Sequence, residues 1–116
     1  MGAVTRAPQG VVRTVPETRA LLTEAMQEVA DVAGASGAPL PKGAVEKFLA
    51  MLDEGPAEGI GAMQRDIMAG RPSELETQIG VMVRLGHSHG VQVPRHTFLY
   101  ASLLPQELKA RGRLQF

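Results

Sequence analysis

Three groups of residues in this 116-residue chain are of types that do chemistry. His87-Ser88-His89, with His96 beyond, supplies three imidazoles, the side chains most used as metal ligands and proton carriers. Side chains two apart on a helix face away from each other, so His87 and His89 converge only if their helix has already ended. A helix C-terminus also favours cations, which accounts for the pair without a metal, and no metal site is assigned. Gly55, Gly59 and Gly61 precede a helical pattern, as in loops whose N–H groups cradle phosphate. No strand precedes them and no Lys-Ser/Thr follows, so they read as a connector. The third group is charged: Arg65, Asp66, Arg71, Glu74 and Glu76. A carboxylate in such a cluster is a candidate acid, base or anchor. Glu74 and Glu76 equally suit the first turn of a helix, where the dipole stabilises them.

The elements that must hold these groups are helical. Thr14-Val15-Pro16-Glu17 matches a capping box with proline in the first turn. Leu22, Met26, Val29 and Ala33 then recur on one helix face, widened by Leu21, Ala25 and Val32, with Glu24, Glu28 and Asp31 opposite. Gly34 and Gly37 end that helix. Val45, Phe48, Leu49 and Leu52 mark a second helix, stopped by Gly55-Pro56. A short helix carries Met63 and Ile67, and Gly70 closes it. Ser73-Glu74-Leu75-Glu76 is a second capping box, opening a helix whose inner face is Leu75, Ile79, Met82 and Gly86, joined by Val83 and Leu85. Gly80 and Gly86 weaken this helix by about 1 kcal/mol each against alanine, so they mark places where another group comes close. Pro94 opens a last helix that Pro105 breaks or kinks, leaving Gln106 to Arg113 as a fraying charged turn. Val91-Gln92-Val93 is the best strand candidate and is too short for a sheet. The expected fold is all-α, a bundle of about five to six helices over residues 14–116, preceded by a flexible N-terminal arm over residues 1–13 that lacks a helical period.

Composition narrows the function. Lys plus Arg equals Asp plus Glu at 12 each, and aromatic residues make up only 3%. Nucleic-acid binders carry a basic excess and stacking aromatics, so nucleic acid is not an expected partner. Cysteine is absent, which excludes disulfides, thiolate metal sites and thiol nucleophiles. No apolar run has membrane-spanning or signal-peptide length, so the chain is read as cytoplasmic with no membrane partner. Several of the methionines sit at core-facing spacing, where methionine fills irregular gaps.

The charged cluster lies within a longer stretch, Ala62-Met63-Gln64-Arg65-Asp66-Ile67-Met68-Ala69-Gly70-Arg71-Pro72-Ser73-Glu74-Leu75-Glu76. This resembles the signature of the C-terminal domain of ketopantoate reductases (2-dehydropantoate 2-reductases), which show Ser-Met-x-x-Asp followed by Gly-Arg-Pro-Thr-Glu-Ile-Asp. Ile79-Gly80, Val83-Arg84-Leu85-Gly86, His89-Gly90-Val91, Val93-Pro94 and Leu99-Tyr100 continue the likeness, which covers about Val15 to Leu104. The resemblance implies an NADPH-dependent reduction of ketopantoate to pantoate, on the route to pantothenate. It also implies an active site between a Rossmann-type nucleotide-binding half and this helical half. Glu74 falls on the family's active-site glutamate, which helps position the catalytic lysine. Ala62 falls on the substrate-binding serine and has no hydroxyl.

By the same resemblance, the catalytic lysine and the substrate-binding asparagines lie on a preceding helix that is not present here. Lys42, Lys47 and Lys109 stand in other contexts, and the chain has no asparagine. It also has no strand followed by Gly-x-Gly-x-x-Gly. No cofactor is therefore expected on this chain alone, with NADPH implied for the complete enzyme. Two functions follow as expectations. One is the substrate-side domain of such a reductase, inactive by itself and paired with a separately encoded Rossmann-type half. The other is a non-catalytic oligomerisation or interaction module, since an apolar face stripped of its partner half must find cover. A homo-oligomer is expected in that case.

Overall fold

A computed structural model describes all 116 residues, and all of its regular elements are helices. The elements are α1 (Gly2–Thr5), α2 (Gln9–Val12), α3 (Pro16–Ala35), α4 (Ala44–Glu54), α5 (Ala62–Met68), a π-helical turn (Glu76–Gly80) running directly into α6 (Val81–His89), and α7 (Pro94–Ala110). Their arrangement is flat, 43 × 35 × 20 Å. Helix α3 packs on α4, α6 and α7, while α1 packs on α5 and α7. Ala3, Ile67, Leu75 and Leu103 form a buried apolar cluster, with Leu75 at 0% exposure. Leu75, two residues after Ser73, thereby fixes the start of the helix that carries the charged cluster.

The first 13 residues differ from the expected arm. They form two helical turns, bury Ala3 and Val12, and tie the chain together. Gln9 and Gly10 donate backbone N–H groups to the carbonyls of Gly59 and Ala57. Arg13 Nη1 donates to the carbonyls of Leu52 and Gly55 at 2.6 and 2.8 Å, closing the C-terminus of α4. The segment lacks a helical period because each piece is a single turn, held by tertiary bonds that no periodicity records. The same bonds strap down the glycine-rich connector.

The Thr14 capping box does not form. Val15 precedes α3, and the Thr14 hydroxyl bonds back to the Gly10 and Val11 carbonyls. Gly34 lies inside α3, and Gly37, at φ 85°, is where the chain turns. Helix α7 continues through Pro105 to Ala110. Its buried row runs His96, Leu99, Leu103, Glu107, so the expected frayed turn is instead anchored in the interior.

Gly86 is buried where the 91–93 segment crosses α6. An added Cβ would lie 2.9 Å from the Val91 carbonyl oxygen and 3.0 Å from a Val93 methyl. Gly86→Ala is expected to destabilise by about 1–2 kcal/mol, the overpacking cost exceeding the gain in helix propensity. Urea unfolding of the purified chain reads this directly.

Candidate functional site

The charged cluster separates into distinct units. Arg71 closes onto Asp66, with Nη2 to Oδ1 at 3.0 Å, and Arg65 reaches the Ile60 carbonyl. Glu76 accepts from Arg84 Nη1 at 2.7 Å and from the Tyr100 hydroxyl. Those bonds hold the Glu76 carboxyl below its ordinary pKa, the Tyr100 bond contributing most, and the same bond raises Tyr100. Gly80 supplies the space for this group: a Cβ there would press on Glu76, Arg84 and Tyr100 at once. The π turn brings Gly80 to this point. Its extra residue also rotates the start of α6 relative to a regular helix, leaving Leu85 exposed and not on the inner face.

Glu74 stands apart. It is exposed, and its carboxylate accepts one bond within the chain, from Gln78 Nε2 at 2.7 Å. No cation pairs with it, while the cluster's other carboxylates, Asp66 and Glu76, each have an arginine. Its backbone is rigidly held. Ser73 Oγ accepts from the Leu75 N–H at 3.2 Å, one residue short of the Glu76 N–H that the first half of the expected capping box uses. The second half is supplied from elsewhere. Glu76 is occupied by Tyr100 and Arg84, and Glu107 of α7 takes its place, accepting from the Ser73 N–H at 3.0 and 3.1 Å and from its hydroxyl at 2.6 Å. Arg111 Nε completes the set at 2.8 Å from Glu107. Glu107 is 2% exposed. Burial pushes its carboxyl up, but the Ser73 and Arg111 bonds together carry it below the ordinary value. Glu107 and Tyr100 are site-supporting residues that sequence reasoning missed, because their partners lie 34 and 24 residues away.

Ala62 is the exposed first residue of α5. Its neighbour Gly61 and the Glu74 partner Gln78 line one groove, but neither Ala62 nor Glu74 is among its lining residues. His87 and His89 are both exposed in the last turn of α6, whereas His96 is buried against Glu28. The three imidazoles do not converge, and no group of three potential ligands is placed to hold a metal. Dinucleotides sit at the carboxyl ends of strands, on a glycine loop leading into a helix. The chain has no strand and so has no crevice of that type.

Fold and site define an all-helical domain with an unpaired, rigidly mounted carboxylate at its edge and no nucleotide crevice of its own. The family described as "Ketopantoate reductase PanE/ApbA C terminal" matches residues 1–107. A 2-dehydropantoate 2-reductase of Pyrobaculum aerophilum is 30% identical over 105 residues, covering 90% of this chain and 37% of its own length. A PanE/ApbA family ketopantoate reductase from Ralstonia eutropha superposes with a TM-score of 0.83 at 27% identity, over 95% of this chain and 37% of that one. The dimeric ketopantoate reductase of Staphylococcus aureus shares the fold with a TM-score of 0.88 at 23% identity, over 94% of this chain and 38% of that one. The chain belongs to the ketopantoate reductase C-terminal domain family. It spans little more than a third of the length of each of these relatives, and the match from residue 1 places the two N-terminal turns inside the domain.

Proposed function

We infer that this chain is the substrate-side domain of a ketopantoate reductase, in which a Rossmann-type half supplies NADPH and the catalytic lysine. The observation that carries this is Glu74: exposed, without a cation, on a helix start fixed by Leu75 and Glu107. A carboxylate so mounted is preorganised to receive an ammonium group from across a cleft. Ala62 leaves the substrate's hydroxyl-recognition position bare, so the 2-oxo acid is held there by shape and not by a serine. Alone, the chain supplies neither a hydride donor nor a proton donor for the developing alkoxide and is inactive. A cytoplasmic setting goes with this reading.

Reconstitution tests it. This chain, mixed with the portion of the Pyrobaculum aerophilum enzyme that precedes the matched region, is expected to oxidise NADPH in the presence of ketopantoate. No turnover from a well-folded equimolar complex would overturn the reading.

A second reading, a non-catalytic self-association module, is favoured by the α6–α7 face. Phe98 is 58% exposed there, beside an apolar groove formed with Val83, Val91 and Val93. The dimeric state of the Staphylococcus aureus relative is in keeping with it. Light scattering that shows a monomer at high concentration counts against this alternative.

A further inference from the structure

Helix α5 turns Gln64 and Ile67 inward and carries Ala62, Arg65 and Asp66 on its outward face. Ala62 and Arg65, three residues apart, are neighbours on that face, with Cβ atoms about 5–6 Å from each other. Asp66 is already engaged, since Arg71 donates Nε and Nη2 to its Oδ1 at 3.2 and 3.0 Å. Arg65 has no carboxylate. Its Nη1 donates to the Ile60 carbonyl at 3.2 Å, which draws the guanidinium back toward the start of α5, where Ala62 lies. Its Nε and Nη2, the pair that Arg71 spends on Asp66, find no acceptor within the chain.

The other arginines borne on helices are all paired. Arg19 bonds Asp53, Arg84 bonds Glu76 and Arg95 bonds Glu24. Arg65 thus presents a charge that the chain has not neutralised, on a backbone tether that limits where it can swing. A guanidinium with one edge tethered and the other free matches the two oxygens of a carboxylate. It keeps its charge at every working pH. A 2-oxo acid brings such a carboxylate. Glu74 repels it, and Ala62 has no hydroxyl to donate to it.

We propose that Arg65 anchors the carboxylate of the 2-oxo acid through Nε and Nη2, with Ala62 facing the rest of the substrate. The proposal rests on the substrate-side reading above. The carboxylate carries the same charge in the bound substrate and in the transition state, so Arg65 supplies uniform binding and governs KM and not kcat.

For the test, this chain is joined to the portion of the Pyrobaculum aerophilum enzyme that precedes the matched region. Two quantities are measured: KM and kcat for ketopantoate with NADPH, and the ketopantoate Kd with NADP+, which permits binding without turnover. Arg65→Ala should raise KM and Kd about 10-fold and Arg65→Glu about 100-fold, with kcat changed less than about twofold. Arg65→Lys, which keeps the charge and loses the fork, should fall between wild type and Arg65→Ala. The carboxamide of ketopantoate, which lacks the charge, should bind wild type and Arg65→Ala equally. Arg65 is exposed, and circular dichroism checks that each variant keeps the helical fold. Equal KM and Kd in wild type and Arg65→Ala overturn the proposal and leave the substrate-side reading standing. A lower kcat at unchanged KM, or no ketopantoate binding by the wild type, also overturns it. Arg65-dependent binding without turnover supports the anchor and contradicts the enzymatic reading.

Discussion

Glu107→Ala is expected to destabilise the chain by about 3 kcal/mol, because it strands a buried N–H and hydroxyl on Ser73 and leaves Arg111 without its carboxylate. Leu75 and Leu103 would still be in place, so the loss is one of polar satisfaction and not of apolar packing. Glu107→Gln retains the shape and one acceptor and should cost less than half as much. The pH dependence has a definite sign. Glu107 is held below its ordinary value in the folded chain. Its contribution is therefore complete above the unfolded-chain value, about pH 4.3, and is lost as pH falls through the depressed folded value. Urea midpoints measured from neutral pH into the acid range should fall steeply for the wild type and less so for Glu107→Gln. Equal slopes would show that Glu107 does not couple folding to protonation.

Glu28→Ala is expected to have a comparable effect, about 2–4 kcal/mol, for a different structural reason. Proline occupies the first position of α7, and the next two N–H groups, of Arg95 and His96, have no partner within their own helix. Glu28 accepts both from across the interface, at 2.9 and 3.1 Å, and the His96 ring as well. One carboxylate on α3 thus caps α7 and fixes the imidazole. Because α3 and α7 would separate at this point, hydrogen exchange should accelerate first in residues 94–99. Loss of stability spread evenly over the chain, with no focus there, would argue against a capping role.

Glu28 shows where sequence reading stops. By helical phase it lies among Glu24 and Asp31 on the polar side of α3, and charged residues are seldom buried without a partner. Its partner is a set of backbone N–H groups 67 and 68 residues away, which no local pattern reveals. The order of α3 to α7 was legible from apolar spacing and from the glycines at 37, 70 and 90 that adopt positive φ. The close approach at Gly80 and Gly86 was legible too, since a glycine costs helix stability unless space requires it. The capping boxes were half legible. Ser73 caps as its type predicts, but the reciprocal acid comes from α7 because Tyr100 and Arg84 engage Glu76. The π turn left no mark in composition, and it shifted Leu85 off the inner face. Glu74 was one of three candidate carboxylates in the charged cluster, and only the family resemblance singled it out. Its spacing says helix start and nothing more.

The reading as the substrate-side domain of a ketopantoate reductase is tested most directly by ketopantoate-dependent NADPH oxidation in this chain assembled with a nucleotide-binding half, wild type against Glu74→Gln. Turnover is expected from the pair and from neither component alone, with a fall on the order of 100-fold for Glu74→Gln at unchanged complex formation. Turnover by this chain in isolation, or a Glu74→Gln pair as fast as the wild type, would contradict it.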